Sequence, residues 1–391
     1  MSVPDLTDIL THIHATPHRM TLDFAGAGVQ ALVWLHSVGG SSRTVLEATD
    51  RYTPASMIEG VGFTPERFTS KRVARALAAN AHARAKYLFS EPPLFGVGCT
   101  ATIATDRTKR GDHRCAVAVQ DALGTVTYAL TLSKGARDRA GEEMLVSLVI
   151  LRAVAEACGV LYFPELPLVD EERLEQSYTP LPEFTKLMEG ELNWVALHPD
   201  GTAQTGATLP DIVLLSGSFN PLHDGHRTLA QVAGERLGKE VFFELPLINA
   251  DKDPIDLLEA RRRALQFAGT APVLLSRAPL FHQKAVLFPD STFVLGVDTA
   301  KRLISPRFHA NDEEKLHVAL NDLRQHGSHF LVAGRSGGEG YETLGDLVVP
   351  EGYGNLFTEL PKDAFHLDIS SSMLREGWGA AQGEGSSQTQ R

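Results

Sequence analysis

Two histidines three positions apart close the stretch Gly217-Ser218-Phe219-Asn220-Pro221-Leu222-His223-Asp224-Gly225-His226, directly after the apolar run 211–216. On a helix opening near His223 the two imidazoles share one face at its N-terminal end. Backbone amides and the helix dipole favour a phosphate there. Two ring nitrogens aimed at that spot could stabilise charge developing on a phosphoryl group. Gly217 is expected to permit close approach of a ligand to the backbone, and Pro221 to fix the turn. A helix N-terminus with two exposed histidines is the plainer alternative. The register of strand, glycine, proline and paired histidine weighs against it.

A second group, Ile369-Ser370-Ser371-Ser372-Met373-Leu374-Arg375, follows the apolar segment 364–369. Consecutive serines before a helical pattern offer a capping hydroxyl and free amides, a further anion site. Arg375 would fall one turn into that helix, where its planar fork suits a phosphate. Alone, three serines read equally well as a loop; beside the first group they gain weight. Lys252, Asp298, Lys284 and Arg335 are further polar candidates near strand ends. For Lys284 and Arg335 a solvated role is the expectation, as it is for Arg261, Arg262 and Arg263 in the middle of a helix.

The elements that must position these residues are legible. Continuous apolar runs at 211–216, 241–245, 272–276, 292–297 and 329–334 alternate with helical stretches near 223 and 254–267. That pattern predicts a parallel sheet covered on both faces, with its ligand beyond the strands' carboxyl ends at a topological switch point. The first 160 or so residues read as mixed α/β. Helices are expected at 71–87 and 142–158, and strands at 94–103, 114–120 and 125–132. The stretch 163–182, rich in proline and acid, marks a boundary, and 192–207 suggests a hairpin that could belong to either half.

With 391 residues and 43% hydrophobic side chains the chain can bury two cores. A formal charge of −11, from 37 Lys+Arg against 48 Asp+Glu, with no basic stripe, disfavours nucleic-acid binding. No apolar run approaches the roughly 20 residues of a membrane span. Residues 1–20 carry Asp5 and Asp8 and show no signal-peptide pattern. Cys99, Cys115 and Cys158 are far apart and form neither a disulfide framework nor a metal knuckle. A cytoplasmic protein acting on small molecules, with no nucleic-acid or membrane partner and no protein-bound metal, is the expectation.

GSFNPLHDGH resembles the G-x-F-x-P-x-H-x-G-H signature of the nucleotidylyltransferase superfamily, and ISSSMLR resembles its I-S-S-T-x-x-R motif, with Ser372 in place of threonine. Asn220 brings the wording closest to nicotinamide mononucleotide adenylyltransferases. The resemblance covers about 211–377 and implies a Rossmann-like doubly wound sheet. It implies His223, His226 and Arg375 as catalytic residues. Gly217, Ser218, Phe219, Asn220, Lys252, Gly296, Asp298, Ser370, Ser371 and Ser372 would bind nucleotide. Mg²⁺ would enter with ATP and keep several waters. The implied reaction is in-line attack by a phosphorylated acceptor on the α-phosphorus of the triphosphate, releasing pyrophosphate; with nicotinamide mononucleotide the product is NAD. Another adenylyltransferase or cytidylyltransferase of this fold, or a nucleotide-binding scaffold without turnover, are the alternatives.

Gly39-Gly40-Ser41-Ser42-Arg43, followed by Tyr52, resembles the P-G-A-S segment and tyrosine of the competence-damage-inducible protein (CinA) C-terminal family, and Gly96-Val97-Gly98-Cys99-Thr100-Ala101 its glycine-rich strand-turn. Some members are nicotinamide-nucleotide amidases. Two departures stand out: Asp23-Phe24-Ala25-Gly26-Ala27-Gly28 replaces E-S-C-T-G-G, and Met57 replaces a lysine. A serine nucleophile needs an adjacent base or cation, and no replacement is visible in the sequence. The expected organisation is a two-domain α/β protein. A CinA-like domain without amidase activity spans 1–165, serving as a binding or dimerisation module with a shallow anion site near Ser42. A linker or hairpin spans 166–209, the nucleotidylyltransferase domain 210–377, and a disordered tail 378–391. The charged run 106–114 could bind an anion or be a solvated loop.

Overall fold

The computed structural model describes residues 5–106, 110–160, 162–169, 171–248, 255–309, 311–337 and 340–365. The fold is mixed α/β and divides into two compact units, Met1–Pro182 with Pro199–Thr202, and Glu183–His198 with Ala203–Arg391.

The first unit runs α1 (Thr7–Ala15), β1 (Arg19–Ala25), α2 (Val29–Ser37), β2 (Val45–Asp50), α3 (Pro54–Val61), α4 (Lys71–Leu88), β3 (Leu94–Thr102), β4 (His113–Asp121), β5 (Gly124–Leu132), α5 (Arg139–Ala157) and β6 (Glu175–Pro180). Its six-stranded sheet has the order β2-β1-β3-β4-β5-β6. β1 is parallel to β2 and β3, and the remaining pairings are antiparallel. Ser70 caps α4 by accepting from the Val73 amide. The helix then lays Ala74 and Ala78 on Ala116 and Ala118 of β4. It lies so close that a Cβ on Gly96 would stand 2.0 Å from the His82 nitrogen, and one on Gly98 2.3 Å from the Ala74 carbonyl oxygen. These two glycines therefore sit close under a helix within β3, the strand expected at 94–103. α5 is buried along almost its whole apolar length and packs on α2, β3 and β4.

The second unit runs α6 (Pro182–Glu189), β7 (Trp194–Leu197), β8 (Ala203–Gln204), β9 (Val213–Ser216), α7 (Asp224–Leu237), β10 (Val241–Pro246), α8 (Leu257–Ala264), β11 (Val273–Ser276), α9 (Phe281–Leu287), β12 (Thr292–Gly296), α10 (Val297–Leu303), α11 (Glu313–Gln325), β13 (His329–Ala333), a hairpin of β14 (Arg335–Gly337) and β15 (Gly340–Glu342), and β16 (Phe357–Leu360). The main sheet has the order β16-β13-β12-β9-β10-β11-β7-β8. From β16 to β11 every pairing is parallel, while β7 and β8 join antiparallel at one edge. Numbered by their own succession, the six parallel strands read 6-5-4-1-2-3, the Rossmann order, with its switch point between β9 and β12. Phe293, Phe330 and Phe357 stand in register across β12, β13 and β16 and stack at 5.6 and 5.1 Å between ring centroids.

The stretch 166–209, expected to be a linker or hairpin, supplies β6 to the first sheet and, to the second unit, α6 and the antiparallel pair β7–β8, which lies within the hairpin expected at 192–207. The tail 378–391 lies outside the described residues. Among the described residues no helix is long and apolar enough to cross a membrane.

Candidate functional site

β9 ends at Ser216, the chain turns through 217–223, and α7 begins at Asp224. The turn thus leaves the carboxyl edge of the sheet beside the switch point, and α7 points its N-terminus back to it. A Cβ on Gly217 would meet the Phe219 ring at 2.7 Å. The loop's own aromatic packing therefore requires a glycine here. Phe219 itself, expected to bind nucleotide, is 1% exposed and packs edge-on against Phe243, Phe267 and His226. Its ring walls one side of His226.

The rings of His223 and His226 stack with centroids 3.7 Å apart and planes 26° apart. The His223 amide donates to His226 Nδ1 at 3.4 Å. An accepting Nδ1 places the proton of a neutral ring on Nε2. Burial lowers the His226 pKa to about 4, helped by His223 and Arg227. Burial also lowers that of His223, against the pull of Asp224. His223 Nδ1 is buried and makes no hydrogen bond among the described residues. At a helix N-terminus, a ring N–H of this pair can donate to a phosphate oxygen beside the free backbone amides.

α8 holds the turn. Arg262 donates to Asn220 Oδ1 at 2.7 Å and Arg263 to the Ser218 carbonyl at 3.1 Å. Gln266 donates to the Phe219 carbonyl at 2.9 Å and accepts from the Leu222 amide at 2.8 Å. Glu259 accepts from both arginines, at 2.6 and 2.7 Å. Although burial opposes it, those hydrogen bonds keep the Glu259 carboxyl below its ordinary range. The arginines are therefore not the solvated face expected of them: Arg261 is buried, and Arg262 and Arg263 clamp the turn. Sequence reading missed Gln266 altogether. The available signal was Glu259 placed three and four residues before two arginines, a spacing that pre-orients both.

Lys284 also departs from expectation. It is 3% exposed and donates to Glu244 Oε2 at 2.6 Å and to Ser216 Oγ at 3.3 Å. Ser276 donates to the other Glu244 oxygen, and the Gly217 amide donates to the Glu244 carbonyl at 3.0 Å. A buried ionic network thus ties β9, β10, β11 and α9 together under the start of the turn. Across the switch point, Gly296 ends β12 and Asp298 lies in the first turn of α10. Arg335, just past β13, pairs with Asp298 at 2.6 Å, both side chains about half exposed. The structure brings Gly217, Ser218, Asn220, His223 and His226 together in one turn, and Asp298 with Arg335 at the neighbouring strand ends. Lys252, Ser370, Ser371, Ser372 and Arg375 lie outside the described residues.

In the first unit, Ser41 lies in a short 3₁₀ turn and its hydroxyl is 2.6 Å from His36 Nδ1, on the exposed surface. An imidazole within reach of a serine is what the sequence had not disclosed. Met57 is buried with Ala25, Val73 and Leu77. Asp23 is engaged by Arg51 at 2.7 Å and Asn80 at 3.3 Å.

No family model matches the chain, and no curated protein sequence matches it. Among solved structures, the chain is similar to the competence/damage inducible protein CihA from Agrobacterium tumefaciens, at 16% identity and a TM-score of 0.31, over 39% of this chain and 96% of that one. It is similar to a CinA superfamily protein from Escherichia coli at 12% identity and 0.32, over 39% and 92%. A third is a CinA superfamily protein from Klebsiella pneumoniae, at 9% identity and 0.33, over 40% and 98%.

Proposed function

We propose that the second unit is a nucleotidylyltransferase that joins ATP to a phosphorylated acceptor, with nicotinamide mononucleotide as the leading acceptor and NAD as the product. One observation carries this reading: a stacked histidine pair opens a helix at the switch point of the sheet's six parallel strands. Ligands of such sheets bind in that crevice. An oxygen of the acceptor phosphate forms a bond to the α-phosphorus of ATP. The bond from that phosphorus to the β-phosphate oxygen breaks, and pyrophosphate leaves. No protein nucleophile takes part, so positioning and charge stabilisation supply the rate.

In this scheme His226 donates from Nε2 to an oxygen of the transferring group, and the α7 amides face the same phosphates. Arg375 and Ser370 to Ser372 are proposed to hold the β- and γ-phosphates. Among the described residues no group of three His, Cys, Asp or Glu could hold a metal. Mg²⁺ is proposed to enter with the triphosphate, where it would neutralise phosphate charge. The test is pyrophosphate release from ATP or CTP against a panel of phosphorylated acceptors. Turnover with ATP and nicotinamide mononucleotide is expected. Turnover with CTP alone or with another acceptor alone would move the substrate, and none with any pair would leave a nucleotide-binding scaffold.

A further inference from the structure

The first unit holds a cavity of about 410 Å³ on the α4 side of its sheet, within the size of small-molecule sites. Its origin is structural. α4 covers Ala116 and Ala118 but starts at Lys71, so the Arg114 end of β4 and the facing Thr131 end of β5 emerge from under the helix. Ala116 and Ala129, paired across the two strands, make a low floor. Arg67, Lys71, Arg114 and Arg173 stand around it. The chain as a whole carries a charge of −11, so four cations about one cavity run against the composition.

We infer that this cavity is a binding site for a small phosphate ester that carries hydroxyl groups, of the sugar-phosphate class. Three observations converge. Among the described residues Arg67 and Arg114 form no ion pair, and Lys71 pairs only with the exposed Glu175, at 2.7 Å with side chains 46% and 69% exposed. Such a surface pair is weakly held and yields readily to a dianion. Ser70 caps α4 at the cavity wall, so the helix's first amides add positive potential beside the cations. The remaining lining is made of hydroxyls and carboxylates, Thr69, Thr131, Glu171 and Glu175, which suit the hydroxyls of a polyol. The lining residues include no aromatic ring.

The test is calorimetric titration of the full chain at low salt with ribose 5-phosphate, ribose and inorganic phosphate. Ribose 5-phosphate is expected to bind, inorganic phosphate more weakly, and ribose not at all. Arg114→Gln should weaken ribose 5-phosphate binding about ten-fold or more, as loss of a charge-assisted contact does, whereas His226→Ala should leave it within about two-fold. The melting temperature of Arg114→Gln checks its folding. Should it not fold, Arg67→Gln, an exposed position, decides in its place. No binding, equal binding of ribose, unchanged binding in the arginine variant, or a loss confined to His226→Ala would each overturn the inference.

Discussion

A histidine held neutral is a hydrogen-bond donor at one nitrogen only, and the geometry of His226 fixes which. Its Nδ1 accepts from the His223 amide, leaving Nε2–H for a ligand. If that donor meets charge that grows during transfer, His226→Ala should lower kcat by roughly 10²–10³-fold while the KM for ATP changes little. Steady-state pyrophosphate release checks this, and activity within about three-fold of wild type would remove His226 from the mechanism. Arg375→Lys is the companion: it keeps the charge but loses the fork, so weaker ATP binding is expected. Burial of His226 also makes a stability prediction. The unfolded imidazole takes up a proton below its ordinary value of 6.5, the folded one only near 4. Between those values the unfolded chain binds more protons, so stability is lost as pH falls from about 6.5 toward 4, by up to about 3 kcal/mol. Urea midpoints for the second unit's transition should therefore drop across that window in wild type and drop less in His226→Gln. A flat wild-type profile would show that the ring titrates freely.

At the scale of elements, the turn 217–223 is as precise as the helix that grips it. Gln266 satisfies both the Phe219 carbonyl and the Leu222 amide, so Gln266→Ala strands two backbone groups. A loss of about 1–3 kcal/mol is expected, with a fall in kcat/KM, read by thermal melting and turnover. Lys284→Met should cost more, about 3–5 kcal/mol, because it leaves Glu244 charged and fully buried. Adding Glu244→Gln should recover part of that loss, a coupling that a double-mutant cycle measures. The parallel strands and the histidine turn were legible because buried strands are written as unbroken apolar runs. β6 was not, since an edge strand with most of its residues exposed carries no apolar period and its proline and acid read as a linker. The arginines of α8 were illegible for a different reason. A guanidinium on a helix reads the same whether it meets water or a neighbouring loop, and only the fold brings 218–222 to it. Lys284 is the same case inside out, because its partner lies 40 residues away on another strand.

At the scale of the molecule, each unit has its own sheet. The first unit places Ser41 beside His36, an arrangement that can in principle activate a hydroxyl. Activation is not catalysis, however. The pair is exposed, where water competes for every hydrogen bond that would stabilise a tetrahedral oxyanion, and preorganised donors gain their strength in a site that excludes water. The position that would carry a cation, Met57, is closed into an apolar cluster. The Asp23 carboxylate is bound by Arg51 and Asn80 rather than directed at a substrate. The full chain is therefore expected to release pyrophosphate from ATP with nicotinamide mononucleotide, but no ammonia from nicotinamide mononucleotide alone. An ammonia assay run with His226→Ala, in which the transferase step is crippled, isolates the question. Steady ammonia release that persists in His226→Ala and vanishes in Ser41→Ala or Ser42→Ala would show a working amidase and make the protein bifunctional.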